Sequence, residues 1–348
     1  MCKPASCAGI GAFIGLLALS MASFAASPTP QRSLLALSKG DRKLAIVNLA
    51  TLQVVARVDV GVDPHEVVAT PDGKTAYVSN MVGTTGHEIY VIDLIDQRAL
   101  PTIDTGPLTG PHGLVFRDGK LWFTAQGAKV VAQYDPKEKR VDWILGTGQD
   151  WTHMLEVTPD GNRFYTTNAD SGTVSIFDYQ LTAPSSASFG FVPPGRTATM
   201  QWKQSLIQLA PGVEGFDVSP DGAQLWTASP VTGQLFIIDT ALRIITAYPA
   251  NLMGANRVKF TNDGRLVFVS IIRNGDLVVL DATTHNEVKR LNLGKQATGI
   301  AMDPDGSRAF VGCTVEGTVA VIDLASLEVV GHIAVGSRPD GLNFAIRR

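Results

Sequence analysis

An Asp-Gly dipeptide recurs along this 348-residue chain at a nearly fixed interval, and that period limits the fold more than any other feature. Asp72-Gly73, Asp118-Gly119, Asp160-Gly161, Asp221-Gly222, Asp263-Gly264 and Asp305-Gly306 are separated by 46, 42, 61, 42 and 42 residues. Self-similarity at roughly 40–50 residues signals stacked supersecondary units. Around Asp305, residues 299–302 read as a short strand and Pro304-Asp305-Gly306 as a turn. Residues 308–311, 319–323 and 327–333 read as three more strands. Short runs rich in Val, Ile and aromatics, bounded by Gly, Pro, Asp and Asn, argue strand over helix. Four antiparallel strands in a repeat of this length make one propeller blade.

The other repeats fall into the same register. An aromatic sits in each second strand at Tyr77, Trp122, Tyr165, Trp226, Phe268 and Phe310, and an acid closes each third strand at Asp93, Asp135, Asp178, Asp239, Asp281 and Asp323. A further copy, 44–48, has no first strand before it, whereas the segment 340–345 has no blade of its own. Pairing 340–345 with 34–37 closes the ring and removes exposed sheet edges. The expected fold is all-β: one seven-bladed propeller over residues 26–348, with its terminal strands paired. The 61-residue interval holds an insertion at about 181–199, rich in Ser, Pro and Gly, between the third and fourth strands of its blade.

Residues 1–25 do not fit the repeat. Lys3 precedes an apolar stretch from Ala8 to Ala25 that ends in Ser23-Phe24-Ala25, a small-x-small cleavage pattern. The expectation is a signal peptide and a periplasmic or secreted mature chain with no membrane span. An uncleaved anchor is the alternative, because the run is nearly long enough to cross a bilayer. Cys2 and Cys7 would leave with the signal, so Cys313 would be the only thiol and no internal disulfide could form. Removing Lys3 from the 29 basic residues leaves 28 against 32 acidic ones, which argues against a large nucleic-acid footprint.

Acids that recur in nearly every blade belong to the scaffold, since turn carboxylates bond neighbouring backbone N–H groups. The variable positions just before each first strand are the candidates for function. They are His65, His112, His153, Glu214, Asn256 and Thr298, with Asp340 completing the ring. Such positions line the mouth of a propeller's channel. Three imidazoles on consecutive blades, near carboxylates, suit a transition metal such as zinc or copper. A small or anionic ligand at the same mouth is the competing expectation, as is a polar mouth that only docks another protein. His87 could add a fourth nitrogen. Further along the first strands stand Glu66 and Arg257, then Glu156, Asp217, Lys259 and Asn343. Glu156, Asp217 and Lys259 read as an ion-paired group between blades, and Arg257, whose nearest apparent partner is Glu214, as an anchor for an anion. No GxSxG, phosphate loop, HExxH or CxxCH motif is present.

Tyr77-Val78-Ser79-Asn80, Tyr165-Thr166-Thr167-Asn168 and Ser219-Pro220-Asp221-Gly222 followed by Ile237-Ile238-Asp239 resemble the repeats of the YVTN-type, YncE-like propellers. The resemblance covers the mature chain and implies the same fold. It also brings in the activities of related propellers: single-stranded DNA binding, haem d1 held by a face histidine, metal- or acid–base-assisted lyases and lactonases, and copper held by channel histidines. The sequence thus leads to an exported, monomeric binding module whose ligand or metal sits at the histidine-lined mouth. One alternative is a metal-assisted lyase or hydrolase in which His65, His112 and His153 hold the ion, Glu214 is the general base and Arg257 orients the substrate. In the binding role Glu66, Asn256, Asp340 and Lys259 would contact the ligand. A tetrapyrrole of the haem d1 kind is the second alternative.

Overall fold

The computed structural model describes Met1 and residues 28–184 and 195–347. Apart from Met1, the proposed signal segment lies outside the described residues, as does the centre of the insertion. The described residues form seven four-stranded antiparallel sheets, each one blade of a β-propeller. In blade 1 the innermost strand is the C-terminal Pro339–Ile346. It pairs with Arg32–Ser38, so that Leu34 faces Phe344 and Leu35 faces Asn343. The innermost strands of blades 2 to 7 are Pro64–Ala69, Pro111–Arg117, Thr152–Val157, Phe216–Val218, Ala255–Phe260 and Ala297–Met302.

Burial follows strand position. Second strands such as Leu266–Ile271 are buried almost throughout, because neighbouring blades cover both faces, and they carry near-continuous apolar runs. Outer strands such as Arg140–Gly146 alternate between exposed and half-buried residues. The aromatic column of the second strands is buried between blades. The repeated acids hold turns. Asp93, Asp135, Asp239, Asp281 and Asp323 each accept two backbone N–H groups just after their strand. Asp178 instead meets Arg163 at 2.6 Å and Arg243 at 2.5 Å, because its strand runs on to Thr182 and pairs with Thr199–Gln208 as the base of the insertion. In blade 3 both Asp118 (φ 50) and Gly119 (φ 76) are left-handed, and Arg117 pairs directly with Lys120. This two-residue hairpin of type I′ explains why His112 precedes its Asp-Gly turn by six residues, where the other ring residues followed by such a turn precede it by seven.

Two features of the innermost strands shape the channel. First, the pairing register shifts near the start of all but the short strand of blade 5, between Pro64 and Val67 for example, and between Thr152 and Leu155. A bulge there re-aims consecutive side chains. Second, the residue after each ring position runs Glu66, Gly113, Met154, Gly215, Arg257, Gly299 and Gly341 around the wheel. A Cβ on Gly299 would lie 2.0 Å from the Asp340 carbonyl, and one on Gly341 2.3 Å from that of His65. Glycine therefore lets the next blade's backbone close in, while the large residues between these junctions fill the axis.

Candidate functional site

The seven ring residues stand at the second position of their innermost strands, with Glu214 just ahead of the short strand in blade 5. His65, His112 and His153 are brought side by side. The His65 and His112 rings lie 4.9 Å apart, with His112 Nε2 3.2 Å from His65 Nδ1. His112 and His153 stack at 3.8 Å with 28° between their planes. His112 is fully buried and His153 nearly so. Burial, reinforced by the surrounding cationic groups, holds both imidazoles well below the usual histidine range and so favours their neutral form.

The rings of His112 and His153 stack and that of His65 is tilted against His112, so the three do not converge on one point. Metal-ligating imidazoles aim their nitrogen lone pairs at one point about 2 Å away, whereas His65 has both nitrogens engaged and His153 Nδ1 meets the Gln126 side-chain amide. Among the described residues no group of three or more His, Cys, Asp or Glu is arranged to hold a metal ion. His112 Nδ1 is buried without a hydrogen-bond partner, and no hydrogen bond among the described residues engages His153 Nε2. His87 takes no part: it is exposed and meets Asp104 at 3.0 Å. Cys313 is buried in the core between blades 6 and 7, and burial raises its thiol pKa.

Sequence inspection missed Lys39. It lies in the turn after Arg32–Ser38, and its Nζ is 2.8 Å from His65 Nε2, 3.4 Å from Asp340 and 3.6 Å from Asp63. Asp63 in turn lies 3.0 Å from His65 Nε2; that hydrogen bond, with Lys39 close by, outweighs its partial burial and holds its carboxyl far below the usual range. The detectable signal was positional, since the turns between second and third strands all reach the mouth end of the wheel. Lys39, His65 and His112 form a row of close polar contacts running from a largely buried ammonium to a fully buried imidazole.

Arg257 does not face Glu214 as its main partner. The bulges turn it and Glu66 to the axis, and they meet across the channel at 2.6 Å, with Asp340 at 4.0 Å from the same guanidinium nitrogen. Burial alone would lower the arginine pKa, but Glu66, Asp340 and Glu214 together raise it above its ordinary value. Burial pushes Glu66 and Glu214 up, with Arg257 opposing. Glu214 is held instead by Asn256, whose amide donates to it at 3.1 Å. Arg257 is therefore committed to a bar across the channel, not a free fork for an anion. The inter-blade group appears as read from the sequence: Lys259 Nζ is 2.6 Å from Asp217, which also accepts the Phe260 N–H at 2.7 Å. Glu156, adjacent to Asp217, is pushed up to about 7 by burial and by that neighbouring carboxylate.

With this geometry in hand, comparison with known proteins adds the following. The family model of the cytochrome D1 heme domain matches residues 230–341. The chain is a seven-bladed β-propeller. These matches are consistent with the YVTN-type, YncE-like resemblance. Comparison with curated proteins gave no match. Among solved structures, a functionally unknown protein from Desulfotomaculum acetoxidans is 14% identical, with a TM-score of 0.70 over 91% of this chain and 99% of that one. Hydrazine synthase of Kuenenia stuttgartiensis is 18% identical, with a TM-score of 0.63 over 80% and 88%. The dihydro-heme d1 dehydrogenase NirN in complex with DHE is 14% identical, with a TM-score of 0.59 over 92% and 76%. At these identities the likeness is one of fold.

Proposed function

We propose that the mature chain is an exported binding module that seats its ligand at the histidine end of the channel. One observation carries this: Lys39, Asp63, His65, Glu66, His112, Arg257 and Asp340, from four blades, join in one largely buried network that no repeated scaffold role explains. Charged and titratable groups are costly on innermost strands, and their concentration at one end marks a site. The residues that the sequence offered as general base and substrate anchor, Glu214 and Arg257, are tied to protein partners.

A tetrapyrrole is the ligand class favoured by a separate observation. The cytochrome D1 heme domain match covers the stretch that supplies Asn256, Arg257, Thr298 and Asp340 to the ring, and NirN shares the fold. The residues suit such a group in type: His153 offers an imidazole nitrogen, Nε2, that no hydrogen bond among the described residues engages, and Lys39 offers a cation for a tetrapyrrole carboxylate. When bound, a tetrapyrrole iron would supply the redox or Lewis-acid chemistry that the side chains lack. Protein recovered from the osmotic-shock fraction of its own cells should carry a bound mass in native mass spectrometry. Titrating the ligand-free protein with haem should give a saturable Soret shift near one equivalent. His153→Ala should weaken that shift at least tenfold. No Soret shift at tens of micromolar haem removes the tetrapyrrole, and no bound mass as well removes a ligand at this end.

A further inference from the structure

Inward of the Glu66–Arg257 bar, the innermost strands of all seven blades enclose a cavity of about 340 Å3. Apolar side chains, among them Leu114, Phe216, Ile300, Met302, Leu342 and Phe344, share its wall with polar groups. The polar groups are Glu66 and Arg257 of the bar, Asn262, and Glu156, Lys259 and Asn343, these last three each three residues beyond the ring position of their blade. Lys259 gives one ammonium donor to Asp217. Its other two donors have no protein acceptor among the described residues, and its side chain is 42% exposed, against 6% for Asp217. Asn343 accepts the Phe344 N–H at 2.7 Å through its carbonyl oxygen, which leaves its amide NH2 without a protein acceptor among the described residues. Between these two blades the same level carries only the methyl of Ala301.

We propose that this cavity is a second ligand site, separate from the histidine end, that takes a small monocarboxylate with an apolar body. The unsatisfied donors are an ammonium and an amide at one level of the channel, which suits a carboxylate. The apolar side chains of the wall suit a hydrocarbon body, and placed polar groups among apolar ones are the usual make-up of a small-molecule site. A cationic ligand would meet Lys259 and be repelled. Asp217 balances Lys259, and Glu66 balances Arg257. Burial and the Asp217 carboxylate raise Glu156 above the usual carboxylate range, which reduces its repulsion of an anion.

Isothermal titration of the purified protein with benzoate, hexanoate and hexylammonium tests this. Benzoate and hexanoate should bind one-to-one, and hexylammonium should not. Lys259→Met should weaken benzoate at least tenfold. Asn343→Leu, which leaves the Lys259–Asp217 pair intact, should also weaken it severalfold while keeping the native circular dichroism spectrum. His65→Ala should bind benzoate as the unaltered protein does, so failure at the histidine end and failure here are distinguishable. Absence of saturable binding by either carboxylate overturns the site. So does unchanged affinity in both cavity variants, or tighter binding of hexylammonium.

Discussion

At the residue scale, the stacked pair of His112 and His153 converts burial into a pH dependence. Both imidazoles are held well below their ordinary range in the folded chain, so the unfolded chain binds protons that the native one refuses. The sign follows from linkage: their contribution to stability is complete above the unfolded value near 6.5 and is lost as pH falls below it. Each buried imidazole adds a slope of about 1.4 kcal/mol per pH unit in that window. Glu66 and Glu214 are shifted upward, so they act in the opposite sense, favouring the folded state at low pH. The measurement that isolates the histidines is therefore a difference. Urea unfolding of the unaltered protein and of a His112→Gln/His153→Gln variant should diverge between pH 7 and 5, with the variant losing less stability on acidification. Parallel curves would mean that one or both imidazoles take up protons in the native state.

At the element scale, the innermost strand is where backbone and site depend on each other. Four glycines after ring positions let adjacent strands close in, and the bulges turn Glu66 and Arg257 onto the axis. Gly299→Ala places a Cβ against backbone, the Asp340 carbonyl, which cannot swing aside. Gly331 in the outer strand Glu328–Ala334 has open space around it and no left-handed φ. Thermal unfolding should show Gly299→Ala destabilised by roughly 2 kcal/mol or more, as overpacking costs, and Gly331→Ala within about 0.5 kcal/mol of the parent. Equal values would show that the inner ring has slack. This contrast also explains what the chain discloses before folding. Blades, turn acids and the ring register are local and repeat, so they are visible as period and alternation. A glycine near the start of a strand looks like any turn residue, and nothing local in Gly299 announces the Asp340 backbone 41 residues later. The Glu66–Arg257 bar spans 191 positions and depends on bulges with no sequence mark of their own. Lys39 escaped notice because blade 1 lacks the Asp-Gly turn from which the register is counted.

At the scale of the whole molecule, closure and binding rest on the same strand. Pro339–Ile346 completes blade 1, packs Leu342 and Ala345 into the core, and carries both Asp340 of the histidine end and Asn343 of the cavity. The junction is reinforced from blade 7, where Arg32 meets Asp303 at 2.7 Å. Removing residues 339–348 would expose the ladder edge of Arg32–Ser38, whose Leu34, Leu35 and Ala36 are otherwise fully buried. It would also forfeit the burial of Leu342 and Phe344, each worth about 1.5–3 kcal/mol when complete. An open apolar edge in a seven-sheet ring invites pairing with another chain. The truncated protein should therefore run as aggregates in size-exclusion chromatography and lose its cooperative thermal transition. A peptide spanning 339–347, supplied during refolding, should restore a single species by adding the missing strand. The same peptide with Asp340→Ala and Asn343→Leu should close the ring but leave haem and benzoate binding impaired. If the truncated chain instead elutes and melts as the parent does, the ring is held by its blade-to-blade packing alone. The terminal strand would then matter only for the ligands.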